Sequence, residues 1–401
     1  MRDIVSGPIV IIGAGQAAAQ CAISLRQGGF TEAITMVAGE PFPPYQRPPL
    51  SKKFLTERGK PESLYLRPEM FWRDQNVALV PDVAARSINV QARTVALADG
   101  RTLAYGTLVL ATGTCARRLP VAGIDLAGVF SLRSIGDVQR LRPALDAVSR
   151  VVIVGGGYIG LEVAAVMRTE GREAIVLEAE DRVLKRVTAP EVSIFFDQFH
   201  RARGVDIRLG TRLAGIVGEQ RVCALRLADG TEIATDVVLL ATGAQPNVEL
   251  ARDAGLACED GIAVDELARA SAPDIYAIGD CTRFPSRRYG RKLRLESVQN
   301  AIDQGKTAAA AILGNAQPYD PVPWFWSDQY EVKLQIAGML DGYDSVEIVG
   351  DPAAAKFSAE YRKNGRLIAV DAINDGRAHM MARRRIAEET ADATPAQAGV
   401  A

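Results

Sequence analysis

The residues from Val151 to Ala165 constrain the fold most strongly, because they combine a buried strand, a glycine-rich turn and a helix. The first four are all β-branched, which is typical of a strand in a parallel sheet. A helix with apolar periodicity begins near Tyr158. Between strand and helix, the Gly-x-Gly-x-x-Gly spacing is formed by Gly155, Gly157 and Gly160. Such glycines allow a tight turn, close approach of a pyrophosphate and close packing of helix on strand, so the segment predicts a dinucleotide-binding fold.

The next predicted strand, 174–177, supports this interpretation because it ends in an acidic residue. Glu178 follows Gly160 by 18 residues, where the acceptor for a ribose 2′-hydroxyl is expected. An ordinary glycine-rich turn would not require that acid. Because Glu178 would repel a 2′-phosphate, the pattern favours NAD over NADP.

A second dinucleotide signature lies near the N-terminus, with Gly13, Gly15 and Ala18 at the three positions. The strand that comes next, 33–37, ends shortly before Glu40, the one acid placed to bind a ribose. The chain therefore predicts two nucleotide folds rather than one.

The two signatures begin similar modules. Each continues into an aspartate-glycine turn, typical of a β-hairpin, and then into a buried strand that ends in Ala-Thr-Gly. The first module spans 8–113 and includes Ala111, Thr112 and Gly113; the second spans 151–243 and ends at Gly243. This duplication predicts an α/β protein with two Rossmann-like domains, the second inserted in the first.

The insertion is indicated by the residues after the second module. A strand ends at Gly279 and Asp280, and a long helix begins in the segment Glu296–Ser297–Val298, as expected for the returning half of the first domain. After Pro321 an aromatic phrase and alternating strands predict a C-terminal α+β domain, and the polar tail after Glu388 predicts disorder. The predicted domains are 1–115 with 244–320, then 116–243, then 321–401.

Composition limits the possible chemistry. The formal net charge of −1 gives no sign of nucleic-acid binding, and no apolar run is long enough to cross a bilayer. Met1 lies directly before the first strand, without a signal peptide, so the cytoplasm is expected. The five cysteines form no Cys-x-x-Cys pair and there are two histidines, so no metal site is predicted. An organic cofactor must then supply the difficult chemistry.

The segment 41–52 contains five prolines and ends in Leu-Ser-Lys. It cannot form an ordinary helix or a central strand until after Pro49. Because a linker would seldom need prolines, Arg47 and Lys52 together, we interpret it as a rigid loop that lines a cofactor.

These phrases resemble the FAD-dependent, NADH-using ferredoxin reductases, a group of glutathione-reductase-like flavoproteins. The resemblance runs from about Val10 to Asp371 and is carried by specific phrases: Pro-Tyr-Gln-Arg-Pro-Pro-Leu-Ser-Lys52, Gly-Gly-Gly-Tyr-Ile-Gly-Leu-Glu162, Arg182 to Pro190, Ile278 to Cys281, Glu296 to Asn300 and Trp324 to Tyr330. It implies FAD in the first domain, NADH in the inserted domain and an interface domain at the C-terminus.

The resemblance also implies which residues bind the cofactors. The FAD site would include Gly13, Gly15, Ala18, Glu40, Arg47, Lys52, Ala85, Ala111, Thr112, Gly113, Arg133, Gly279, Asp280, Glu296, Ser297, Val298 and Trp326. The NADH site would include Gly155, Gly157, Tyr158, Ile159, Gly160, Glu178 and Gly243.

Four residues are implied to act in catalysis. Lys52 and Glu162 would form an ion pair that stabilises negative charge on the reduced flavin. Tyr158 would cover the flavin where nicotinamide stacks, and Trp326 would lie at the other edge. No cysteine lies beside Lys52 or after a glycine triplet, which disfavours disulfide and sulfenic-acid chemistry.

The implied activity is that of an enzyme, a ferredoxin–NAD⁺ reductase. Its partner would be an acidic two-iron ferredoxin that docks on a basic face including Arg67, Arg291, Lys306 and Lys333. That ferredoxin would supply a haem-thiolate monooxygenase or a ring-hydroxylating dioxygenase. Rubredoxin reductase, monodehydroascorbate reductase and a redox-dependent binding flavoprotein like apoptosis-inducing factor remain alternatives.

Overall fold

The structure is a computed structural model that describes residues 7–57 and 59–391. The chain divides into two compact units. The first comprises 1–46, 60–115 and 245–323, and the second comprises 47–59, 116–244 and 324–401. Elements are numbered in chain order. Strands β8 (Thr114–Ala116) and β17 (Ala244–Pro246) lie where the chain passes from one unit to the other.

A five-stranded parallel sheet forms the centre of the first unit. Its order is β20 (Ile275–Ala277), β7 (Thr107–Leu110), β1 (Ile9–Ile12), β2 (Ile34–Val37) and β3 (Val77–Val80). Because β20 pairs with β7 across a long stretch of sequence, the late segment does return to the first nucleotide fold. The predicted insertion is confirmed.

Helices α1 (Gln16–Gln27) and α8 (Val298–Ile312) pack on each other in this unit. Their approach depends on Gly305, where a Cβ would lie 2.8 Å from the carbonyl oxygen of Ala17. The other elements of the first unit are α3 (Glu69–Asp74), α7 (Glu249–Asp253), an antiparallel sheet of β4 (Ala85–Asn89), β5 (Thr94–Leu97) and β6 (Thr102–Ala104), and a sheet of β18 (Cys258–Glu259), β19 (Gly261–Ala263), β21 (Thr282–Ser286) and β22 (Arg291–Leu293).

The second unit contains a parallel sheet of the same kind. Its order is β12 (Asp206–Arg208), β11 (Glu173–Leu177), β10 (Arg150–Val154), β16 (Val238–Leu240) and β9 (Val129–Ser131). Its helices are α4 (Ile135–Asp146), α5 (Tyr158–Thr169) and α6 (Pro190–Arg201), and a small antiparallel sheet is formed by β13 (Leu213–Gly218), β14 (Val222–Leu227) and β15 (Glu232–Ala234). The two predicted aspartate-glycine hairpins are confirmed as β5–β6 and β14–β15.

As predicted, the proline-rich segment forms no α-helix before Pro49, although its last two prolines begin a 3₁₀ helix. A 3₁₀ helix spans Pro48–Ser51 and α2 spans Lys53–Thr56. The prolines occupy the first turn, where a missing N–H removes no hydrogen bond. This segment packs on α4 and α5 within the second unit.

The C-terminal part of the second unit is an antiparallel sheet, as predicted. Its order is β23 (Trp324–Gln329), β24 (Val332–Gly338), β27 (Arg366–Ile373), β26 (Lys356–Lys363) and β25 (Ser345–Asp351). The sequence analysis missed α9 (Gly376–Ala391), which packs on β24 and β27. The predicted disordered tail lies outside the described residues except for its first residues, which belong to α9. Among the described helices, none has the length and hydropathy to cross a bilayer.

Candidate active site

Within each glycine loop the first two glycines have different surroundings, as a dinucleotide site requires. At Gly13 and Gly155 φ is +112°, and a Cβ would lie 2.1 and 2.3 Å from the carbonyl oxygens of Ala111 and Ala241. At Gly15 and Gly157 a Cβ would meet no atom within 4 Å. The first glycine of each loop is thus needed for the turn, whereas the second leaves open space beside the start of a helix, where a pyrophosphate would bind.

The third position separates the two loops. At Gly160 a Cβ would lie 2.0 Å from the carbonyl oxygen of Gly155, so helix α5 needs glycine there. Ala18, at the equivalent place on α1, is fully buried and the fold accommodates its methyl group. The residues of both loops therefore fit a bound dinucleotide.

Glu178 lies at the second loop, as its position in the sequence predicts. Its Oε2 accepts a hydrogen bond of 2.7 Å from the N–H of Gly156, and its Oε1 accepts one of 2.9 Å from the N–H of Glu180. The loop after β11 thus holds a carboxylate beside the glycine turn.

In the first unit, the predicted cofactor residues gather at the carboxyl ends of the parallel strands. Asn247 closes the Ala-Thr-Gly turn: its Nδ2 donates to the carbonyl oxygen of Thr112 and its N–H donates to that of Gly113. Gly279, with φ of +82°, lies two residues after the end of β20 and donates its N–H to Gln304 Oε1 over 2.7 Å. Asp280 comes next and is half-buried.

Glu40 is held by a neighbour that the sequence analysis did not single out. The hydroxyl of Tyr45 donates a hydrogen bond of 2.6 Å to Glu40 Oε2. The remaining predicted residues of this unit are Ala85 at the start of β4, Ala111, Glu296 (ion-paired with Arg294), Ser297 at the N-cap of α8, and Val298.

In the second unit, the predicted ion pair is present. Lys52 Nζ lies 3.0 Å from Glu162 Oε1, and the side chain of Glu162 is only 5% exposed. Two hydroxyl groups complete the contacts of the carboxylate: Ser51 Oγ donates to Oε2 over 2.5 Å and Ser327 Oγ donates to Oε1 over 2.6 Å. Three donors from two segments of the sequence therefore fix one buried carboxylate, as a buried charge requires.

The donors come together because the proline-rich segment and β23 both pack on α5. The 3₁₀ helix supplies Ser51, the next residue is Lys52, and β23 supplies Ser327. Helix α2 is in turn held by Arg142 of α4, whose guanidinium lies 4.4 Å from the centre of the Phe54 ring and donates to the carbonyl oxygen of Leu55. The proline-rich segment is therefore anchored at both sides.

Each predicted aromatic residue of the site packs against a second aromatic side chain. Tyr158, one helical turn before Glu162, packs against Phe325 with ring centres 4.7 Å apart. Trp326 points to the other side of β23 and lies 5.7 Å from Trp324. Burial raises the pKa of Tyr158, and the carboxyls of Asp371 and Glu162 raise it further, so Tyr158 keeps its proton.

The other predicted residues of this unit lie on loops and helix ends. Arg47 donates to the carbonyl oxygen of Arg133 over 2.6 Å. Ile159, in the first turn of α5, is 41% exposed, and Gly243 has φ of +97° at the end of the second Ala-Thr-Gly turn.

A second buried acid was missed by the sequence analysis. Asp371 on β27 is fully buried; its Oδ2 accepts a hydrogen bond of 2.5 Å from Tyr361, whose hydroxyl accepts one from the N–H of Ala189. Burial raises the pKa of Asp371 to about 7, although the bond from Tyr361 opposes the shift. An alternating strand pattern shows that residue 371 faces a core but not that its neighbour is a tyrosine.

The cysteines do not offer a redox pair. All five are unpaired, and Cys21 and Cys281 are buried. Burial raises the pKa of Cys21 to about 12 and raises that of Cys281, so neither is a reactive thiolate. Full burial suits Cys21 to a packing role, and Cys115 is half-buried.

Two glycine-loop nucleotide folds in one chain, joined to a C-terminal antiparallel sheet, define the class of two-dinucleotide oxidoreductases. The model of the pyridine nucleotide-disulphide oxidoreductase family matches residues 7–305, and the reductase C-terminal model matches residues 324–399. The chain belongs to this family, as the sequence resemblance predicted.

Characterised relatives cover nearly the whole chain. It is 42% identical over 381 residues to a ferredoxin–NAD(P)⁺ reductase of Sphingomonas sp., covering 94% of this chain and 92% of the relative. It is 42% identical to the putidaredoxin reductase of Pseudomonas putida, covering 91% and 88% of the two chains. The covalent putidaredoxin reductase–putidaredoxin complex contains a chain with a TM-score of 0.92 and 40% identity, covering 96% of this chain and 94% of that one.

The glycine geometry leads to a prediction about stability. Gly13→Ala should lower the free energy of unfolding by roughly 2 kcal/mol or more, because the methyl group would collide with a backbone carbonyl at positive φ. Gly15→Ala is the matched control and should change it by less than about 1 kcal/mol. Urea unfolding of the apoproteins measures both. Equal losses would contradict the assignment of separate roles.

The buried acid leads to a prediction about pH. Because the pKa of Asp371 is about 7 in the folded chain and near 3.8 when exposed, the folded state binds more protons between these values. Wild-type stability should therefore fall relative to Asp371→Asn as pH rises from 5 to 7, with a slope of at most about 1.4 kcal/mol per unit. Urea midpoints at pH 5, 6, 7 and 8 test this.

Asp351→Asn is the control, since Asp351 is exposed on β25. Its curve should parallel that of the wild type. If the curve of Asp371→Asn were parallel as well, the proposed titration of Asp371 would be wrong.

Proposed function

We propose that this protein is an FAD-dependent NADH:ferredoxin oxidoreductase. It passes electrons from NADH through FAD to a two-iron ferredoxin, which supplies a haem-thiolate monooxygenase or a ring-hydroxylating dioxygenase. The observation that carries the proposal is the pair formed by half-buried Lys52 and buried Glu162, fixed beside the second glycine loop in a chain of this family. Its relatives are named as reductases of ferredoxin and putidaredoxin.

Each glycine loop would bind a different dinucleotide. The loop at Gly13 and Gly15, with Asp280 shortly after β20 of the same sheet, would hold FAD. The loop at Gly155 and Gly157 would hold NADH. Bound FAD accepts two electrons together as hydride and releases them singly, which suits a one-electron acceptor.

The residues of the chain would bind, orient and protect these groups. Lys52 presents a positive charge whose position is set by Glu162, so it would stabilise negative charge that develops during hydride transfer. Glu178 would accept the ribose hydroxyls of NADH. Tyr158, a neutral donor packed on Phe325, would act as a removable cover for the nicotinamide site.

The buried thiols support an external electron acceptor rather than a disulfide. Cys21 and Cys281 are shielded from solvent and have raised pKa values. Electrons that enter the chain would therefore leave it on another protein. The cytoplasm is the compartment that this proposal implies.

The ferredoxin would dock on basic side chains. Arg67 and Lys306 of the first unit are exposed, and so is Arg291. Lys333 of the second unit is exposed and lies 3.5 Å from Asp328. Lys292, next to Arg291, is a poorer candidate, because Glu259 Oε1 lies 2.6 Å from its Nζ and offsets its charge.

The test of the activity combines cofactor and acceptor. The purified protein should be yellow, release FAD on denaturation, and reduce cytochrome c with NADH only when a two-iron ferredoxin is added. Rubredoxin and monodehydroascorbate as acceptors test two alternatives in the same assay. FAD-containing protein without turnover on any acceptor would favour the redox-dependent binding flavoprotein.

Coenzyme choice gives a further prediction. NADH should be preferred over NADPH by on the order of a hundredfold in kcat/KM, since Glu178 both accepts a ribose hydroxyl and repels a 2′-phosphate. Glu178→Ala should narrow the preference. Glu180→Ala is the control, because Glu180 lies two residues later on the same loop and pairs with Lys185 instead. Equal kcat/KM for the two coenzymes in the wild type would refute the role of Glu178.

Docking gives the last prediction. If the ferredoxin is acidic, association should slow by about tenfold or more between low and physiological ionic strength. Arg67→Glu and Lys306→Glu should each raise the KM for ferredoxin without changing ferricyanide reduction by NADH. Arg101→Glu, on the β5–β6 turn and paired with Asp99, is the control. If turnover with ferredoxin depended neither on salt concentration nor on either charge reversal, docking would be mainly apolar.

A further inference from the structure

A series of buried polar side chains continues from the Lys52–Glu162 pair through the second unit. Ser327 Oγ donates to Glu162 Oε1 over 2.6 Å, and Gln329 Nε2 donates to Ser327 Oγ over 3.2 Å. Gln329 Oε1 lies 2.8 Å from Nε2 of His200 on α6. The three outer members, Ser327, Gln329 and His200, are all fully buried.

One face of strand β23 makes this arrangement possible. Alternate residues of a strand point the same way, so Phe325, Ser327 and Gln329 share a face. Phe325 meets Tyr158 and Ser327 meets Glu162, two residues one turn apart on α5. The strand thus places an aromatic contact and a carboxylate contact in register with the helix.

The direction of the hydrogen bonds is fixed by their ends. Burial lowers the pKa of His200 to about 4, although the bond to Gln329 opposes the shift, so the ring is neutral at pH 7. Because the amide oxygen of Gln329 can only accept, His200 Nε2 carries the proton. Its Nδ1 has no hydrogen-bond partner among the described residues, which fits an unprotonated nitrogen.

The donors of Gln329 and Ser327 are then fixed as well. The Gln329 amide nitrogen donates to Ser327, which leaves the hydroxyl proton of Ser327 for Glu162. A carboxylate accepts and does not donate, so the chain cannot run in reverse. Hydrogen bonds in such a series polarise one another, which strengthens the bond to the carboxylate.

We infer that Ser327, Gln329 and His200 are positioning residues that fix the carboxylate of Glu162 and, through it, the ammonium group of Lys52. This inference rests on the proposed function, since it assigns the hydrogen-bonded series a role in the hydride-transfer step. Buried polar side chains are costly unless they form hydrogen bonds, and here the bonds of the series end on the carboxylate that pairs with Lys52.

The kinetic test uses stopped-flow reduction of the bound flavin by NADH. Ser327→Ala removes the last donor and should slow hydride transfer by roughly tenfold or more, with a smaller change in the KM for NADH. Ser327→Thr keeps the hydroxyl and should restore part of the rate. Ser358→Ala is the matched control. Ser358 is also buried, on β26 of the same sheet, but it does not belong to the hydrogen-bonded series.

Variants of Gln329 test the direction of the hydrogen bonds in the series rather than their presence. Gln329→Glu keeps the shape but places an acceptor where Ser327 needs a donor, so the hydroxyl of Ser327 would have two carboxylates to choose from. It should therefore slow hydride transfer more than Gln329→Met, which leaves Ser327 bonded to Glu162 alone. The opposite order would overturn the inferred direction.

The second readout does not depend on activity. The chain has two histidines, so ¹⁵N-histidine labelling gives two rings, and His200→Gln assigns the remaining signals to His379. His200 should be the neutral Nε2–H tautomer down to about pH 5. Glu162→Gln, which removes the charge at the far end, should move the His200 Nε2 proton upfield. Ser358→Ala should leave it in place.

The outcomes separate this inference from the proposed function. Wild-type protein that holds FAD but is not reduced by NADH would refute the function, and the His200 spectra would still test the continuity of the chain. Active wild type with Ser327→Ala and Gln329→Glu no slower than Ser358→Ala would overturn the inference alone. An Nδ1–H tautomer, or a His200 proton unmoved by Glu162→Gln, would overturn it too, even if the Ser327 variants fail to fold.

Discussion

The candidate site depends on one buried carboxylate. Glu162 lies in the interior of the second unit, where an acid without partners would be strongly disfavoured, and its two oxygens accept from Ser51, Ser327 and Lys52. Those donors belong to segments far apart in sequence. The carboxylate therefore ties the proline-rich segment and the C-terminal sheet to helix α5, and the same contacts that stabilise this packing also place a cation.

The rigidity of the proline-rich segment explains how a short loop can do this. Prolines preset the backbone of its first turn, so less conformational entropy is lost when Ser51 and Lys52 are ordered. Arg142 holds the adjoining helix α2 from the other side. A flexible lysine on a flexible loop would not present its charge at a fixed point, whereas this one is held at both the backbone and the side chain.

Local patterns were sufficient to predict most of the fold. Glycine spacing, aspartate-glycine turns and repeated Ala-Thr-Gly phrases each reflect a backbone conformation or close approach that few sequences satisfy, which is why both sheets and the insertion were predicted. The Lys52–Glu162 pair came from a family resemblance and not from spacing, since 110 residues separate the partners. Helix α9 was missed because its sequence is rich in arginine and its mean hydropathy is low.

The hydrogen-bonded series that ends on Glu162 was also not predicted, and the reason differs from that for α9. Ser327, Gln329 and His200 are ordinary residues in sequence, and their roles appear only when β23 and α6 pack beside α5. The same holds for Asp371 and Tyr361, which meet across neighbouring strands. Sequence patterns tell which face of a strand is buried, but the identity of the side chain opposite is a property of tertiary packing.

The central claim is that Lys52 and Glu162 act as one unit, and a double-mutant cycle measures it most directly. The rate of flavin reduction by NADH would be determined for wild type, Lys52→Met, Glu162→Gln and the double variant. If the pair acts together, each single change should slow the step and the double variant should be much less impaired than the two losses combined. Strict additivity of the two effects on the activation free energy would contradict the account.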